Sequence, residues 1–133
     1  MMLIDNLSPC PCGNPAGYRQ CCGPLHDGAI ADSAEQLMRS RYSAYVLKRE
    51  DYLLASWHAD TRPASLQLAA QQPSPTWLGL EIRQHHVIDD LHASVEFVAR
   101  YRLGGGRASR QHETSRFVRE EGRWYYVTGE LKR

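Results

Sequence analysis

No uninterrupted apolar run in this chain of 133 residues approaches the length of a membrane span, so a bilayer-crossing helix is excluded as its organising feature. Neither sign of charge predominates. Sixteen basic residues face fifteen acidic ones for a net charge of +1, so no global field recruits a polyanion and any nucleic-acid partner would have to meet a local patch. There is no phosphate-binding loop, because Gly104-Gly105-Gly106 lacks the lysine and the following helix that such a loop needs. No internal repeat divides the chain, and no secretory signal precedes the first cysteine, so the expected location is cytoplasmic. Cysteine is absent beyond position 22: Cys10, Cys12, Cys21 and Cys22 all fall in one short window.

That window is the most informative stretch present. A Cys-x-Cys pair, eight turn-rich residues and then Cys-Cys bring four sulfurs around one tetrahedral ion, with Gly13 and Gly23 relaxing the backbone beside the ligands. Zinc is the expected occupant. Disulfides compete poorly, since neighbours such as Cys21 and Cys22 bridge only through a strained link.

Cys10-Pro-Cys-Gly, with Tyr18 three positions before Cys21-Cys22-Gly23-Pro24, resembles the SEC-C zinc motif found at the end of the SecA translocation ATPase. Further on, Leu37-Met-Arg-Ser-Arg-Tyr-Ser-Ala-Tyr-Val46, Trp57-His58, Trp77-Leu-Gly-Leu80, Phe97-Val-Ala-Arg100 and Ser115-Arg-Phe-Val118 followed by Trp124-Tyr-Tyr126 look like the YchJ-like (UPF0225) family of bacterial SEC-C proteins. The likeness spans essentially the whole chain. It departs in two places: no second SEC-C motif follows Tyr126, and the usual lysine-rich stretch between the cysteine pairs is Asn14-Pro-Ala-Gly-Tyr-Arg-Gln20. The resemblance implies a nuclear-transport-factor-like cone, in which a bent sheet wraps helices and leaves a pocket at its wide end.

Pattern alone gives an α+β domain, helices first and an antiparallel sheet afterwards. The expected division is a zinc knuckle over residues 1–28, an appendage, and an α+β domain over 29–133. Met2, Leu3, Ile4 and Leu7 are expected to pack beside the knuckle, and Pro24 to Ala31 reads as a connector. Ser33 and Gln36 form a capping box for a helix running to about Lys48. Its apolar stripe is Ala34, Leu37, Met38, Tyr42, Tyr45 and Val46, with Arg41 beside it. A second helix is expected from Asp51 to Trp57 with His58 at its end, and a third, short one from Thr61 that stops before Pro73 and Pro75. Four strands then follow in hairpin succession. Leu78, Leu80 and Ile82 alternate on the first, Val95, Phe97, Ala99 and Tyr101 share a face of the second, the third runs irregularly from Arg107 to Arg119 with a bulge, and Glu121-Gly122 turns the chain into Trp124 to Val127.

Residues placed to carry chemistry in a cone pocket are Trp57, His58, Tyr101 and Glu113, with Glu113 and His58 as an acid–base pair. The structural alternative pairs Glu113 with Arg41 or Arg116. His85-His86 is not a metal pair, because successive strand residues point to opposite faces. His26 is expected not to bind metal. A site with four sulfur ligands has no open position for catalysis, which favours a non-enzymatic interaction module that docks a protein partner, or less readily a nucleic acid, through the knuckle and dimerises through the sheet. The alternative is a small-molecule binder or enzyme that uses the cone pocket, of the isomerase or dehydratase kind that shares the implied fold.

Overall fold

The computed structural model describes residues 9–132, so the expected packing of Met2, Leu3, Ile4 and Leu7 lies outside the described residues. The chain opens with an antiparallel bridge between Pro9 and Gly17, a 3-10 turn Tyr18–Gln20 and a short helix α1, Cys22–His26. Part of the expected connector is therefore helical. Gly23 makes the close approach possible, because a Cβ at that position would stand 2.8 Å from the Tyr18 carbonyl oxygen.

Helix α2, Ala34–Val46, starts where its cap predicts: the Ser33 side chain accepts from the Gln36 amide at 3.1 Å. The Gln36 side chain returns to the amide of Asp32 rather than of Ser33, one residue earlier than in a regular capping box. Ala34, Leu37, Met38, Tyr42 and Ala44 are buried, and so are Ser40, Arg41 and Ser43. The helix is covered on more than one side. Helix α3, Glu50–Ala55, ends before Trp57, whose backbone neighbours bridge to the sheet: His58 donates to the Tyr126 carbonyl at 2.7 Å and Tyr126 to the Ser56 carbonyl at 2.9 Å.

The expected helix from Thr61 does not form. Residues 59–74 contain only a 3-10 turn, Leu68–Ala70, and the Glu50 carboxylate accepts from the amides of Leu66 at 3.1 Å and Leu68 at 3.0 Å. Those amides are used by a side chain from another element, and Gln67 between them takes a left-handed conformation.

Four strands form one antiparallel sheet in the order β1-β2-β3-β4: β1, Pro75–Asp89; β2, His92–Leu103; β3, Ala108–Glu120; β4, Arg123–Leu131. The β1–β2 register shifts three times, leaving Leu78, Arg83 and Ile88 without cross-strand partners. Each bulge bends the strand and resets which residues face inward. Hence Trp77, not Leu78, packs with Leu80 and Ile82 against the core. The β2–β3 register is unbroken. The bulge expected on β3 sits on β4 instead, where Val127 is skipped between Phe117↔Tyr126 and Arg116↔Thr128. Glu121 and Gly122 both have positive φ, as a primed two-residue hairpin turn requires.

One core holds the molecule together, and it does not stop at residue 28. Cys10, Cys12, Cys22 and Leu25 belong to the same buried cluster as Leu37, Tyr42, Val95, Phe97 and Phe117. The knuckle is thus built into the domain wall rather than appended to it. His26 reinforces the junction: its Nε2 lies 2.8 Å from the Ser40 carbonyl, which only accepts, so Nε2 carries the proton and Nδ1 accepts from the Tyr18 hydroxyl at 2.6 Å. Its ring packs 4.5 Å from that of Tyr52, and burial pulls its pKa below the ordinary histidine value.

Two outcomes follow from this continuity. Gly23→Ala, which forces α1 away from a backbone oxygen, lowers the unfolding free energy of the metal-loaded protein by about 1–3 kcal/mol in urea titrations; an unchanged midpoint would show that the Tyr18 turn yields freely. Chelation weakens hydrogen-exchange protection at Leu37, Tyr42 and Phe97 as well as in residues 9–26. Loss confined to those N-terminal amides would restore the knuckle as an independent appendage.

Candidate metal centre and cone cavity

Short-range turns gather the four cysteines. The Cys10 amide donates to the carbonyls of Asn14 and Ala16, Gly13 at positive φ returns its amide to the Cys10 carbonyl, and α1 begins on Cys22. All four sulfurs lie within 4.8 Å of one another, with Cys12–Cys21 at 3.7 Å and Cys21–Cys22 at 3.9 Å. A tetrahedron with metal–sulfur bonds of about 2.3 Å has edges of about 3.8 Å. The fit is that of a four-sulfur metal centre, and no cysteine is in a disulfide.

The surroundings support sulfur charge. Ser43 Oγ lies 3.5 Å from Cys10 Sγ, and the Arg39 guanidinium donates to the Cys12 carbonyl at 3.2 Å. Without a cation the four thiols cannot all ionise. Burial and the neighbouring charges of Cys12 and Cys10 push Cys21 up to about 12, and hydrogen bonds to Cys10 and Cys12, together with burial, raise Cys22 as well. The same bonds from Cys12 and Cys22 hold Cys10 below the usual thiol range. Among the described residues no other group of three or more potential ligands converges in this way. His85 is half-buried beside Glu35, at 3.8 Å, and His86 is exposed, which keeps the pair apart.

The second feature lies on the other side of α2. A cavity of about 310 Å³ opens between α2, the segment 66–75 and the inner face of the sheet. Tyr42, Tyr45, Trp77 and Phe97 give it ring walls, Met38, Val46, Leu66, Leu68 and Ala99 add aliphatic surface, and Arg41, Gln111, Glu113, Ser115 and Tyr126 supply the polar groups. Exposed Lys48 and Gln71 border it.

Of the four residues expected to converge there, Glu113 alone lines the cavity. The bend of α3 into the sheet takes Trp57 onto Arg41 and Tyr126, with ring-to-guanidinium and ring-to-ring separations of 5.0 and 4.8 Å. His58 bonds Glu120 at 2.7 Å, so the expected His58–Glu113 pair is absent. Tyr101 packs 5.7 Å from Trp77 at the β1–β2 pairing. Glu113 accepts from Gln111 Nε2 at 3.0 Å and from Ser115 Oγ at 2.9 Å.

Neither structural partner proposed for Glu113 contacts it. Arg116, an odd number of positions along the strand, is on the exposed face. Arg41 is buried and donates to the Leu53 carbonyl at 2.8 Å and to Ser56 Oγ at 2.6 Å, while its guanidinium carbon lies 4.4 Å from the Tyr126 ring centre. Among the described residues no carboxylate lies within 4.0 Å of it. Burial works against the charge, and the nearby Tyr45, Tyr126, Tyr52 and Glu113 favour it. Sequence pattern did hold a signal for these residues: Arg41 interrupts an apolar stripe, and Gln111, Glu113 and Ser115 alternate on a strand face whose β2 counterpart is Val95, Phe97 and Ala99.

Comparison with known proteins agrees with this geometry. The family described as YchJ, middle NTF2-like domain, matches residues 33–129. The chain belongs to the YchJ-like UPF0225 family. A UPF0225 protein of Xanthomonas campestris pv. campestris is 58% identical over 119 residues, covering 90% of this chain and 92% of that one. A Bordetella pertussis UPF0225 protein is 56% identical over 126 residues, 92% of each chain. The solution structure of a SEC-C motif containing protein from Rhodopseudomonas palustris superposes with a TM-score of 0.83 at 37% identity, over 94% of this chain and 99% of that one. The UPF0225 family, the NTF2-like α+β fold and the SEC-C likeness read from the cysteine window therefore stand. No helix among the described residues is long and apolar enough to cross a membrane.

The raised thiols fix a sign for metal binding. Cys21 and Cys22 are protonated at neutral pH in the metal-free protein and must lose those protons to ligate, so affinity rises with pH and falls on acidification. Calorimetry in buffers of differing ionisation enthalpy should register at least the two protons of Cys21 and Cys22 released per metal ion; a pH-independent affinity would contradict the thiolate assignment.

Proposed function

We propose that this UPF0225 protein is a small-molecule-binding domain whose four cysteines hold one structural zinc ion. Zinc is supported by the all-sulfur donor set and by edges that match its bond length, and a four-sulfur shell leaves no open position for substrate. A cytoplasmic location suits four reduced thiols held ready for a metal.

The observation that carries the binding role is the cavity: about 310 Å³, walled by rings and aliphatic groups, with Arg41, Glu113 and Tyr126 among its polar lining. A concave, mostly apolar site with a few convergent polar groups is the usual form of a small-ligand pocket. The Glu50 carboxylate fastens Leu66 and Leu68 over it, so entry is tied to a segment held by two hydrogen bonds. Docking of a protein partner through the knuckle is a second reading, supported by the exposure of Pro9, Gly13, Pro15, Arg19 and Gln20. Burial of Cys10, Cys12 and Cys22 in the common core gives those cysteines a structural task that needs no partner.

The test uses the zinc-loaded chain. Elemental analysis is expected to give one zinc per chain, and ligand-observed NMR with a library of small ring compounds is expected to find binders that Ala99→Leu, which fills the cavity from β2, no longer takes up. Binders that ignore Ala99→Leu in a folded variant, or a library with none, would move the working surface to the knuckle rim.

A further inference from the structure

The polar groups of the cavity restrict what enters it. Arg41 and Glu113 carry opposite charges, both line the space, and they do not touch. Together they leave the interior near neutrality, so a ligand with a net charge adds an unbalanced charge in a poorly solvated place.

Glu113 is oriented rather than consumed by its neighbours. Gln111 donates to one carboxylate oxygen and Ser115 to the other, and each oxygen keeps a lone pair free. The carboxylate lies over Gly129 so closely that any Cβ there would collide with it, and the Tyr126 hydroxyl lies 3.1 Å from the same point. That hydroxyl has no hydrogen-bond partner among the described residues, and neither does that of Tyr45. Burial, then the charge of Glu113, raises the Tyr126 pKa to about 12, so it remains a donor at neutral pH. Side by side stand an acceptor that cannot donate and a hydroxyl that can donate.

Building on the cavity as a binding site, we infer that its ligand class is a small uncharged ring compound bearing a free hydroxyl: the O–H donates to Glu113 and the same oxygen accepts from Tyr126. A carboxylate meets the lone pairs of Glu113, and an ether or ketone offers them nothing. An ammonium suits Glu113 but faces Arg41. The ring lies among Tyr42, Tyr45, Trp77 and Phe97, whose faces and edges favour offset or edge-on contact. A volume at the low end for ligand pockets suits one or two rings.

A matched series tests the class on the zinc-loaded protein: para-ethylphenol, para-ethylanisole, para-ethylbenzoate and para-ethylbenzylammonium, titrated while the Trp77 indole and Ala99 methyl resonances are followed. The phenol is expected to bind about tenfold tighter than the anisole or either ion, the effect of one hydrogen bond to a charged group. Glu113→Gln should remove most of the phenol's advantage over the anisole and narrow its advantage over the benzoate. Tyr126→Phe should weaken phenol and anisole together, a separate readout if Glu113→Gln fails to fold. Equal binding of phenol and anisole, or tighter binding of either ion, overturns the hydroxyl class while leaving the cavity a ligand site. If none of the four shifts the Trp77 or Ala99 signals, the cavity is not such a site and both readings fall.

Discussion

A desolvated guanidinium determines how this domain closes. Arg41 is buried in the middle of α2, and its charge is met by a carbonyl, a hydroxyl and two aromatic rings instead of a carboxylate in contact. Such an ion is costly unless every surrounding group is correctly placed. The Leu53 carbonyl and Ser56 hydroxyl fix the end of α3, and the Trp57 and Tyr126 rings fix where the chain after α3 joins β4. Moving any of these would strand the charge. The bridge of Trp57 to Tyr126 and the mutual backbone bonds of Ser56, His58 and Tyr126 are thus parts of one arrangement around a single cation.

Helix α2 links that arrangement to the metal centre. Ser43 lies against Cys10, Ser40 accepts through its carbonyl from His26, and Arg39 reaches the Cys12 carbonyl, all from the side that meets the knuckle. Met38, Arg41, Tyr42 and Tyr45 of the same helix line the cavity. A helix of thirteen residues is marginal by itself and takes its stability from packing. Here it is packed on both sides, so order in the cysteine cluster helps to fix the wall of the cavity. This explains why small turn-forming residues, rather than a larger core, complete the N-terminal side of the domain.

Much of this was legible in the chain, and the failures have physical causes. The gathering of the four cysteines was readable because cysteines at that spacing converge readily, and α2 because cap and period agree at Ser33, Gln36 and Leu37. The hairpin at Glu121-Gly122 was readable because few sequences tolerate two positive φ angles. Strand alternation misleads where bulges intervene: period-two counting puts Leu78 in the place that Trp77 occupies, because a register shift is a tertiary choice that such counting cannot see. The stretch from Thr61 reads as a short helix, yet the carboxylate of Glu50 captures the amides of Leu66 and Leu68. Strand and helix faces alone point Trp57, His58 and Tyr101 at the cavity, because they do not reveal the Trp57–Tyr126 bridge that draws the first two to β4. Glu113 does line the cavity, because the irregularity expected on β3 falls on β4 and leaves the alternation of β3 intact, although its partners, Gln111 and Ser115, are two residues away on its own strand.

The separation of Arg41 from Glu113 bears most directly on what the cone is for. If stability alone had shaped this interior, the buried Arg41 and the half-buried Glu113 would be joined, or both replaced by apolar groups of similar volume, a change that is often neutral or stabilising. Instead Ser115 and Gln111 hold the carboxylate over Gly129, whose missing side chain makes the space, and the guanidinium is held by α3 and two rings. Each charge is positioned by its own set of contacts and faces an open volume. Prepositioned polar groups in a partly apolar hollow cost stability while the hollow holds only water, and they recover it when a molecule completes their hydrogen bonds. A packing account leaves Gly129 and the idle Tyr126 hydroxyl as coincidences. A binding account requires both, since the glycine admits the acceptor and the tyrosine supplies the donor beside it.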